Sequence, residues 1–515
     1  MEQGFVRLSD SNVWDFQRHF YEENTTTAWT ENIVPSFQTT NAFIAAQYAR
    51  LILALVRDCS DIDGPVYVLD VGAGHGKLGY LIVTELLEMR GLWPDCSKVP
   101  FKYILSDVIR ENVDFYKSHS LLSKYFEAGF MDCACFDAET DGNLFLEIAQ
   151  EELDCGPCPM FCVFNYVLDT LRHDVFRCVG RELEEGLCSS ELTDTGEITM
   201  KWQYRRVENA SDYYSGKFSG ILNQILVSYA EMFKFENASL IIPIGGIKSV
   251  CNLERMTSGN IVLVIGDKGY LDVDELKELR DPHVATHGSF SMMVNLHALR
   301  ILFENILGGN VLQTRYTNGF KCMCCYLRLP AVCMPELSLQ WEDDVAQFDP
   351  NSFSTVYKSV HESTSHRAPS LKLSLAMIRL SRHDADVFYK LRQCIIEQTP
   401  FSTPRQRYDI RIDVFRIAKR HFFGGATDQD VFFELGRVLM GIKAYREAIG
   451  LFDKSQRECG FHPVSWYNKG ICEYHLNNLG SAVACFEKSL LLDDTCAEAK
   501  AWKAKALLLT LRPGP

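Results

Sequence analysis

The feature that most constrains this chain is a run of alternating glycines within residues 66–79, which read VYVLDVGAGHGKLG. An apolar run ends at Asp70, and glycines follow at positions 72, 74 and 76 before an apolar pattern of helical period begins. This order predicts a buried strand over Val66–Val71, a tight turn, and a helix over Leu78–Glu88. Glycines let the main chain turn sharply and let a ligand lie against it. The free N–H groups at the start of a helix can bind such a ligand.

The spacing of these glycines separates two kinds of cofactor. A dinucleotide fingerprint has the form G-x-G-x-x-G, with its acidic residue about 20 residues further on. Here the form is G-x-G-x-G, and Asp70 stands two residues before the first glycine. This arrangement resembles the first motif of class I S-adenosylmethionine (SAM) methyltransferases. The resemblance implies that Gly72, Ala73, Gly74 and Gly76 lie under the amino-acid end of SAM, with Asp70 near its ammonium group. A glycine turn that binds no ligand is the remaining alternative.

Composition indicates a large, folded, acidic protein. The chain has 515 residues, 47% of them hydrophobic, and a formal net charge of −15. The length suits two or three domains, and the charge argues against a general nucleic-acid binder. The 19 cysteines are scattered through apolar runs, which favours buried thiols in a reducing compartment over disulfides. No signal peptide, transit peptide or membrane span is recognisable, so we expect a cytoplasmic protein.

Alternating strands and helices follow the glycine turn, and their ends carry carboxylates. A second strand over Phe101–Asp107 ends in an acid, beside Val108, that can accept hydrogen bonds from a ribose diol. By resemblance to class I enzymes, Asp137 with Ala138 is expected to meet the adenine amino group, with Asp132 as the second choice. Residues 1–60 read as an N-terminal helical segment that covers the cofactor or substrate. Within it a helix is predicted over 41–56, with Asn41 as a candidate N-cap.

The fourth strand, over Met160–Phe164, runs into the sequence NYVLDTL, which places Asn165 and Asp169 at the ligand-binding edge of the sheet. This segment resembles the N-E-(F/L)-(F/L)-D-A-L-P segment of the MidA-like family of SAM methyltransferases. Tyr166 stands where that family has Glu, and Arg172 where it has Pro. Two later segments, 261–270 and 291–299, resemble the same family. The resemblance covers about residues 30–330.

The C-terminal part shows an internal repeat. Residues 336–370 are polar and are predicted to be a linker, and 371–515 are predicted to be helical. Large residues, glycines, alanines and aromatics recur 34 residues apart at Phe432/Trp466, Gly436/Gly470, Ala448/Ala482 and Phe452/Phe486. This is the tetratricopeptide (TPR) period. It predicts repeats over 431–463 and 464–497, with a capping helix over 497–511.

Cysteine and histidine motifs elsewhere favour neither redox chemistry nor a metal. The sequence CGPC at 155–158 is followed by a proline and a strand, whereas a thioredoxin-type pair needs a helix there. An accidental pair is favoured over zinc binding by this pair with Cys133 and Cys135, and zinc binding is favoured over redox catalysis. His283 and His287 have helical spacing but follow a proline, and no helix is predicted there.

The sequence therefore predicts an α/β fold: a Rossmann-like class I methyltransferase domain over 61–335, with a mixed, mostly parallel sheet, and an all-α TPR solenoid. We expect Asn165 and Asp169 to lie where a methyl group is transferred, with Tyr166 and His297 as further candidates. The resemblance implies a protein acceptor, arginine being one, and a partner recruited by the TPR region. Two alternatives are a SAM-binding scaffold without turnover and a methyltransferase acting on a small molecule.

Overall fold

The computed structural model divides the chain into two units, Met1–Ser354 and Thr355–Pro515. The residues described are 4–31, 33–34, 37–157, 159–192, 198–287, 289–315, 319–327, 334–364, 369–422 and 429–510. Cys158, the second cysteine of the CGPC motif, lies outside them. Among the helices in these ranges, none is long and apolar enough to cross a membrane.

A mixed sheet forms the centre of the first unit. Its seven main strands are β1 (Val66–Val71), β2 (Phe101–Asp107), β3 (Met131–Cys135), β4 (Met160–Asn165), β5 (Ile261–Tyr270), β6 (Asn310–Gln313) and β7 (Phe320–Tyr326). Their order across the sheet is β3-β2-β1-β4-β5-β7-β6. The five strands β1 to β5 run parallel, and β7 pairs antiparallel with both β5 and β6. A short strand, Val294–Asn295, pairs with the end of β5.

The strand order reverses between β1 and β4. From β1 the chain builds β2 and β3 on one side and then returns to place β4 on the other. At such a reversal the connections leave in opposite directions, which opens a crevice at the carboxyl ends of the two strands. The glycine turn follows β1 and the NYVLDTL segment follows β4, so both predicted motifs meet at this crevice.

Helices cover the central sheet and pack closely on it. In helix Lys77–Glu88, a Cβ added to Gly79 would lie 2.6 Å from Leu105 Cδ2 on β2, so only glycine permits this approach. Asn41 accepts a hydrogen bond from the Ile44 N–H at 3.0 Å and caps helix Ala42–Asp58, as predicted. The other helices here are Val13–Asn24, Thr27–Thr30, Arg110–Ser118, Ser120–Glu127, Ser219–Met232, Ile244–Met256, Leu296–Ile301, the π-helix Leu302–Ile306, and the 3₁₀ turns Leu8–Asp10, Arg90–Leu92, Leu168–Thr170, Ala210–Asp212 and Val273–Leu276.

A second, antiparallel sheet is inserted between β4 and β5. It consists of Asp174–Gly180, Glu182–Leu192, Ile198–Arg206 and Glu236–Ile242, together with the N-terminal strand Val6–Arg7. Two hairpins, Val284–His287 with Ser289–Met292 and Phe145–Leu146 with Glu151–Glu152, complete the strands. This sheet was not predicted from the sequence.

The segment predicted as a linker is largely helical where it is described. It contains helices Pro335–Gln340 and Pro350–Thr364 and the π-helix Trp341–Val345. Trp341 is fully buried, and the Phe353 ring stacks on that of Phe43 with centroids 4.5 Å apart. The boundary between the two units falls within this segment.

The second unit is helical, and two of its helix pairs repeat one contact. A Cβ on Gly436 would lie 2.6 Å from the Phe452 ring, and one on Gly470 would lie 2.5 Å from the Phe486 ring. The glycines thus let each helix pair approach at equivalent points 34 residues apart. The helices are Leu371–Leu380, Ala385–Gln398, Pro404–Arg420, Val431–Gly441, Tyr445–Glu458, Pro463–His475, Leu479–Leu492 and Ala497–Thr510, with the 3₁₀ turn Thr399–Phe401.

Candidate functional site

A cleft opens at the crevice between β1 and β4. Its walls come from the ends of the four strands β1 to β4 and from the N-terminal helical segment. The lining residues are Trp14, Gln17, Arg18, Tyr21, Trp29, Val34, Thr39, Thr40, Asp70, Val71, Gly72, Ala73, Gly74, His75, Leu78, Asp107, Val108, Ile109, Phe136, Asp137, Ala138, Glu139, Asn165, Tyr166, Val167, Thr170, Leu171 and Arg172. Residues as far apart in the chain as Trp14 and Arg172 therefore converge on one site.

The glycine turn forms one wall of the cleft. Gly72, Gly74 and Gly76 all have positive φ, at 64°, 59° and 78°, a region that other residues adopt only with strain. A Cβ on Gly72 would lie 2.8 Å from Val167 Cγ2, so the turn also needs glycine for space. These two requirements explain the alternating glycines and leave bare main chain facing the cleft.

Two buried carboxyl groups stand behind this turn. The Tyr103 hydroxyl donates to Asp70 Oδ2 at 2.9 Å, and burial raises the pKa of Asp70 to about 7. Asp107 accepts hydrogen bonds from the N–H groups of Ile109 at 2.9 Å and Gly74 at 3.1 Å. Burial raises the pKa of Asp107 to about 6, while these backbone donors oppose the rise. Asp107 therefore connects the tip of β2 to the glycine turn.

The far end of the cleft contains Asp137 and the buried ring of Phe136. Asp137 is half-buried, and its Oδ1 accepts from the Glu139 N–H at 3.0 Å. Glu139 also pairs with Arg172, whose Nη1 lies 3.2 Å from Glu139 Oε2. This ion pair neutralises the negative charge of Glu139. The carboxyl groups of Asp70, Asp107 and Asp137, in contrast, form no ion pair among the described residues. The cleft consequently favours a ligand that carries positive charge and hydrogen-bond donors.

The end of β4 supplies a fixed amide and a strained tyrosine. Asn165 Nδ2 donates to the Thr39 carbonyl at 2.9 Å, and its Oδ1 accepts from the Tyr48 hydroxyl at 3.2 Å. Tyr166 has φ of 60° and lies below Lys268, whose Nζ is 5.3 Å from the ring centroid. Strain of this kind persists only where the surroundings enforce it, and it is concentrated at functional sites.

Asp169 takes a different position from the predicted one. It is 1% exposed and lies behind the cleft rather than among its lining residues. Neither of its carboxyl oxygens has a hydrogen-bond partner among the described residues. Its backbone N–H donates to Asp267 Oδ2 at 3.2 Å, and burial together with the Asp169 charge raises the pKa of Asp267 well above its usual value. Burial also raises the pKa of Asp169, so the pair disfavours two simultaneous charges.

The N-terminal segment covers the glycine turn with stacked aromatic rings, which the sequence analysis did not single out. Trp29 stacks on Tyr21 at 5.7 Å and on His75 at 6.0 Å between ring centroids. A Cβ on Gly74 would lie 3.1 Å from the Trp29 indole, so this ring lies directly against the turn. The number of aromatic residues between positions 14 and 29 was the available signal, but their partners lie far away in sequence.

Among the predicted cofactor residues, all except Gly76 line the cleft, as do Asn165 and Tyr166. His297 is not among the described lining residues: its Nδ1 lies 2.9 Å from the Tyr229 hydroxyl, on the helix that begins at Leu296. Asp132, the second choice for adenine, instead pairs with Lys102 at 3.1 Å. Its carboxylate also accepts from the backbone N–H groups of Cys133, Ile148 and Ala149. Among the described residues, no group of three or more His, Cys, Asp or Glu side chains lies together as a metal site would require.

Comparison with known proteins gives structural likenesses only. No protein-family model and no curated protein matches the sequence. An uncharacterised protein from Burkholderia thailandensis is similar over 65% of this chain and 90% of its own, at 12% identity and a TM-score of 0.37. A second protein from that organism belongs to the same superfamily as the first. It is described as a methyltransferase candidate and is bound to S-adenosyl-homocysteine. It is similar over 63% of this chain and 95% of its own, at 10% identity and a TM-score of 0.35. Likenesses at this level do not place the chain in a family.

Proposed function

We propose that this protein is a SAM-dependent methyltransferase. The observation that carries the proposal is the convergence of the left-handed glycine turn with Asp70, Asp107 and Asp137 in one cleft at the reversal of strand order. Each strand end contributes one element that an extended, positively charged nucleoside needs. The mixed sheet, with an antiparallel last strand, is consistent with a methyltransferase-like α/β fold.

The residues of the cleft fit SAM as a ligand. The glycine turn offers bare main chain to the amino-acid end, and Asp70 stands behind it. Asp107 would hold the ribose hydroxyls, and Asp137 beside Phe136 would hold the adenine. When bound, SAM supplies a methyl group already activated by its sulfonium. The chain's own task is then to align an acceptor and to accept its proton.

On the acceptor side we place Asn165 and Tyr166, which line the cleft next to the glycine turn. The Asn165 amide is held by Thr39 and Tyr48, so it presents a fixed surface rather than a mobile one. By resemblance to the MidA-like family, the acceptor that we propose is a nitrogen of a protein side chain. We propose that the helical second unit, whose repeated Gly–Phe contacts have the TPR period, recruits that protein or another partner.

A scaffold that binds SAM without turnover is the second candidate. Two observations favour it: Tyr166 occupies a position that is acidic in the resembling family, and Asp169 is buried behind the cleft instead of lining it. In that case the protein keeps a cofactor site but lacks an exposed carboxylate at the point of transfer.

Isothermal calorimetry with S-adenosyl-homocysteine tests the cofactor assignment. We expect Gly72→Ala and Asp107→Asn each to weaken binding about tenfold or more, because one strains the turn and the other removes a charged acceptor. Gly142→Ala is the matched control, since its Cβ would meet no atom within 4 Å and its φ is ordinary. Circular dichroism checks that each variant is folded. Unchanged affinity in both folded variants would rule out this cleft as the SAM site.

Transfer of label from radioactive SAM into a cell lysate separates the two candidates. A labelled protein band that is lost in Asp107→Asn supports the methyltransferase. Binding of S-adenosyl-homocysteine without any labelled acceptor supports the scaffold.

A further inference from the structure

A groove on the second unit lies between two helices and their connecting loop. Its lining residues are Gly450, Asp453, Gln456 and Arg457 of helix Tyr445–Glu458, Phe461 of the loop, and Trp466 and Lys469 of helix Pro463–His475. We call this surface the Phe461 groove. It lies within one unit and shares no lining residue with the cleft described above.

One wall of the Phe461 groove is aromatic and open to solvent. The Phe461 side chain is 71% exposed, and its ring stacks on Trp466 with centroids 6.2 Å apart and planes at 18°. The ammonium groups of Lys469 and Lys488 each lie 4.3 Å from the Trp466 ring centroid. A stacked pair of large rings beside cations, with one ring largely exposed, is typical of a surface that contacts another molecule.

The polar side of the groove offers hydrogen-bond donors. Gln456 is 7% exposed and its Nε2 is shielded from solvent. The donor that an incoming acceptor can reach is therefore the exposed guanidinium of Arg457. Arg457 and Lys488 form no ion pair within the described part of the chain, whereas Lys469 pairs with Asp453. Cations thus outnumber carboxylates here, although the whole protein carries a net charge of −15.

We propose that the Phe461 groove binds an acidic peptide segment of a partner protein. A carboxylate of the segment accepts from the Arg457 guanidinium, and a neighbouring large apolar side chain packs on the Phe461–Trp466 pair. Charge complementarity selects an acidic partner. A nucleic acid fits less well. Its phosphates need an extended row of cations, and the net negative charge of the whole protein repels them. This inference does not depend on methyl transfer.

Fluorescence anisotropy with the full-length protein tests the proposal. The probe is a fluorescein-labelled twelve-residue peptide that repeats glutamate, glutamate and phenylalanine. We expect saturable binding that weakens about tenfold in Phe461→Ala and in Arg457→Glu. Both side chains are exposed, so each change should reduce peptide binding while leaving thermal stability nearly unchanged. Phe401→Ala and Arg405→Glu are matched controls in the same unit, at side chains 87% and 81% exposed.

Two further probes complete the experiment. The first replaces each glutamate of the peptide by lysine, and the second is a labelled oligouridylate. The proposal is overturned if the acidic peptide fails to saturate, if the lysine peptide binds equally well, if the oligouridylate binds more tightly, or if the groove variants and the control variants behave alike. Binding of S-adenosyl-homocysteine, measured on the same variants, is expected to be unchanged. Failure of the groove is therefore distinguishable from failure of the cleft.

Discussion

The buried carboxyl group of Asp70 is costly to the fold, and this cost depends on pH. In an unfolded chain an aspartate titrates near pH 4, whereas burial raises the pKa of Asp70 to about 7 in the folded protein. Between these values the folded protein holds more protons than the unfolded chain. The free energy of unfolding therefore falls as the pH rises from about 4 to 7. If the cleft needs a charged Asp70 carboxylate, the free energy of unfolding is lower at neutral pH than it is near pH 4.

We expect Asp70→Asn to remove this pH dependence, because asparagine does not ionise. From pH 4 to pH 8 the free energy of unfolding of the variant should rise by roughly 2–4 kcal/mol relative to the parent protein. Urea denaturation across this range measures the difference. Asp212→Asn, at an exposed aspartate, is the control and should follow the parent protein. Parallel pH profiles for Asp70→Asn and the parent protein would contradict the assignment of a raised pKa.

At the scale of elements, the central strands were predicted and the inserted sheet was not. Strands β1 and β2 have the predicted bounds, and β4 extends one residue past its predicted end at Phe164. Parallel strands buried on both faces read as continuous apolar runs, which makes them easy to identify. The antiparallel strand Ile198–Arg206 alternates apolar and polar residues regularly, so the strand itself carries a readable signal. Its pairing with Glu182–Leu192 depends on contacts outside the strand. Local pattern therefore identifies an element more readily than the partner with which it pairs.

The same distinction holds for the cleft. Asp107, Asp137 and Asn165 were predictable because the carboxyl ends of parallel strands must lie at one edge of the sheet. Asp169 was predicted at the cleft but turns behind it, since the 3₁₀ turn Leu168–Thr170 directs its backbone N–H to Asp267. The contact of Trp29 with Gly74 joins residues 45 positions apart through tertiary packing, which no local pattern contains.

The repeated glycines of the second unit allow an element-scale prediction. Gly470→Ala and Gly436→Ala should each destabilise this unit by about 1–3 kcal/mol, because the added Cβ would lie 2.5–2.6 Å from a phenylalanine ring in a packed interior. Gly480→Ala is the matched helical control. Its Cβ would meet no atom within 4 Å, and alanine is the better helix former, so it should stabilise by about 0.5–1 kcal/mol. Thermal unfolding followed by circular dichroism at 222 nm compares the three. Equal effects at positions 470 and 480 would show that close helix approach is not what requires the glycines.

At the scale of the whole molecule, the two proposed sites belong to different units. The residues that line the cleft all lie before position 173, within Met1–Ser354, and those that line the Phe461 groove all lie within Thr355–Pro515. A ligand stabilises the structure that it binds by RT ln(1 + [L]/Kd), about 2.7 kcal/mol at a hundredfold excess over Kd. Each ligand should therefore slow hydrogen exchange in a different part of the chain.

Hydrogen exchange measured by mass spectrometry on the full-length protein should distinguish the two patterns of protection. We expect S-adenosyl-homocysteine to slow amide exchange in peptides from 66–79, 101–110 and 13–31 and to leave 445–475 unchanged. The acidic peptide should slow exchange in 445–475 and leave the cleft unchanged, because its contacts are confined to the groove. In Asp107→Asn only the first pattern should be lost, and in Arg457→Glu only the second. If one ligand instead protected both sets of peptides, the two sites would be energetically coupled, and the expectation that each ligand acts on one unit alone would be wrong.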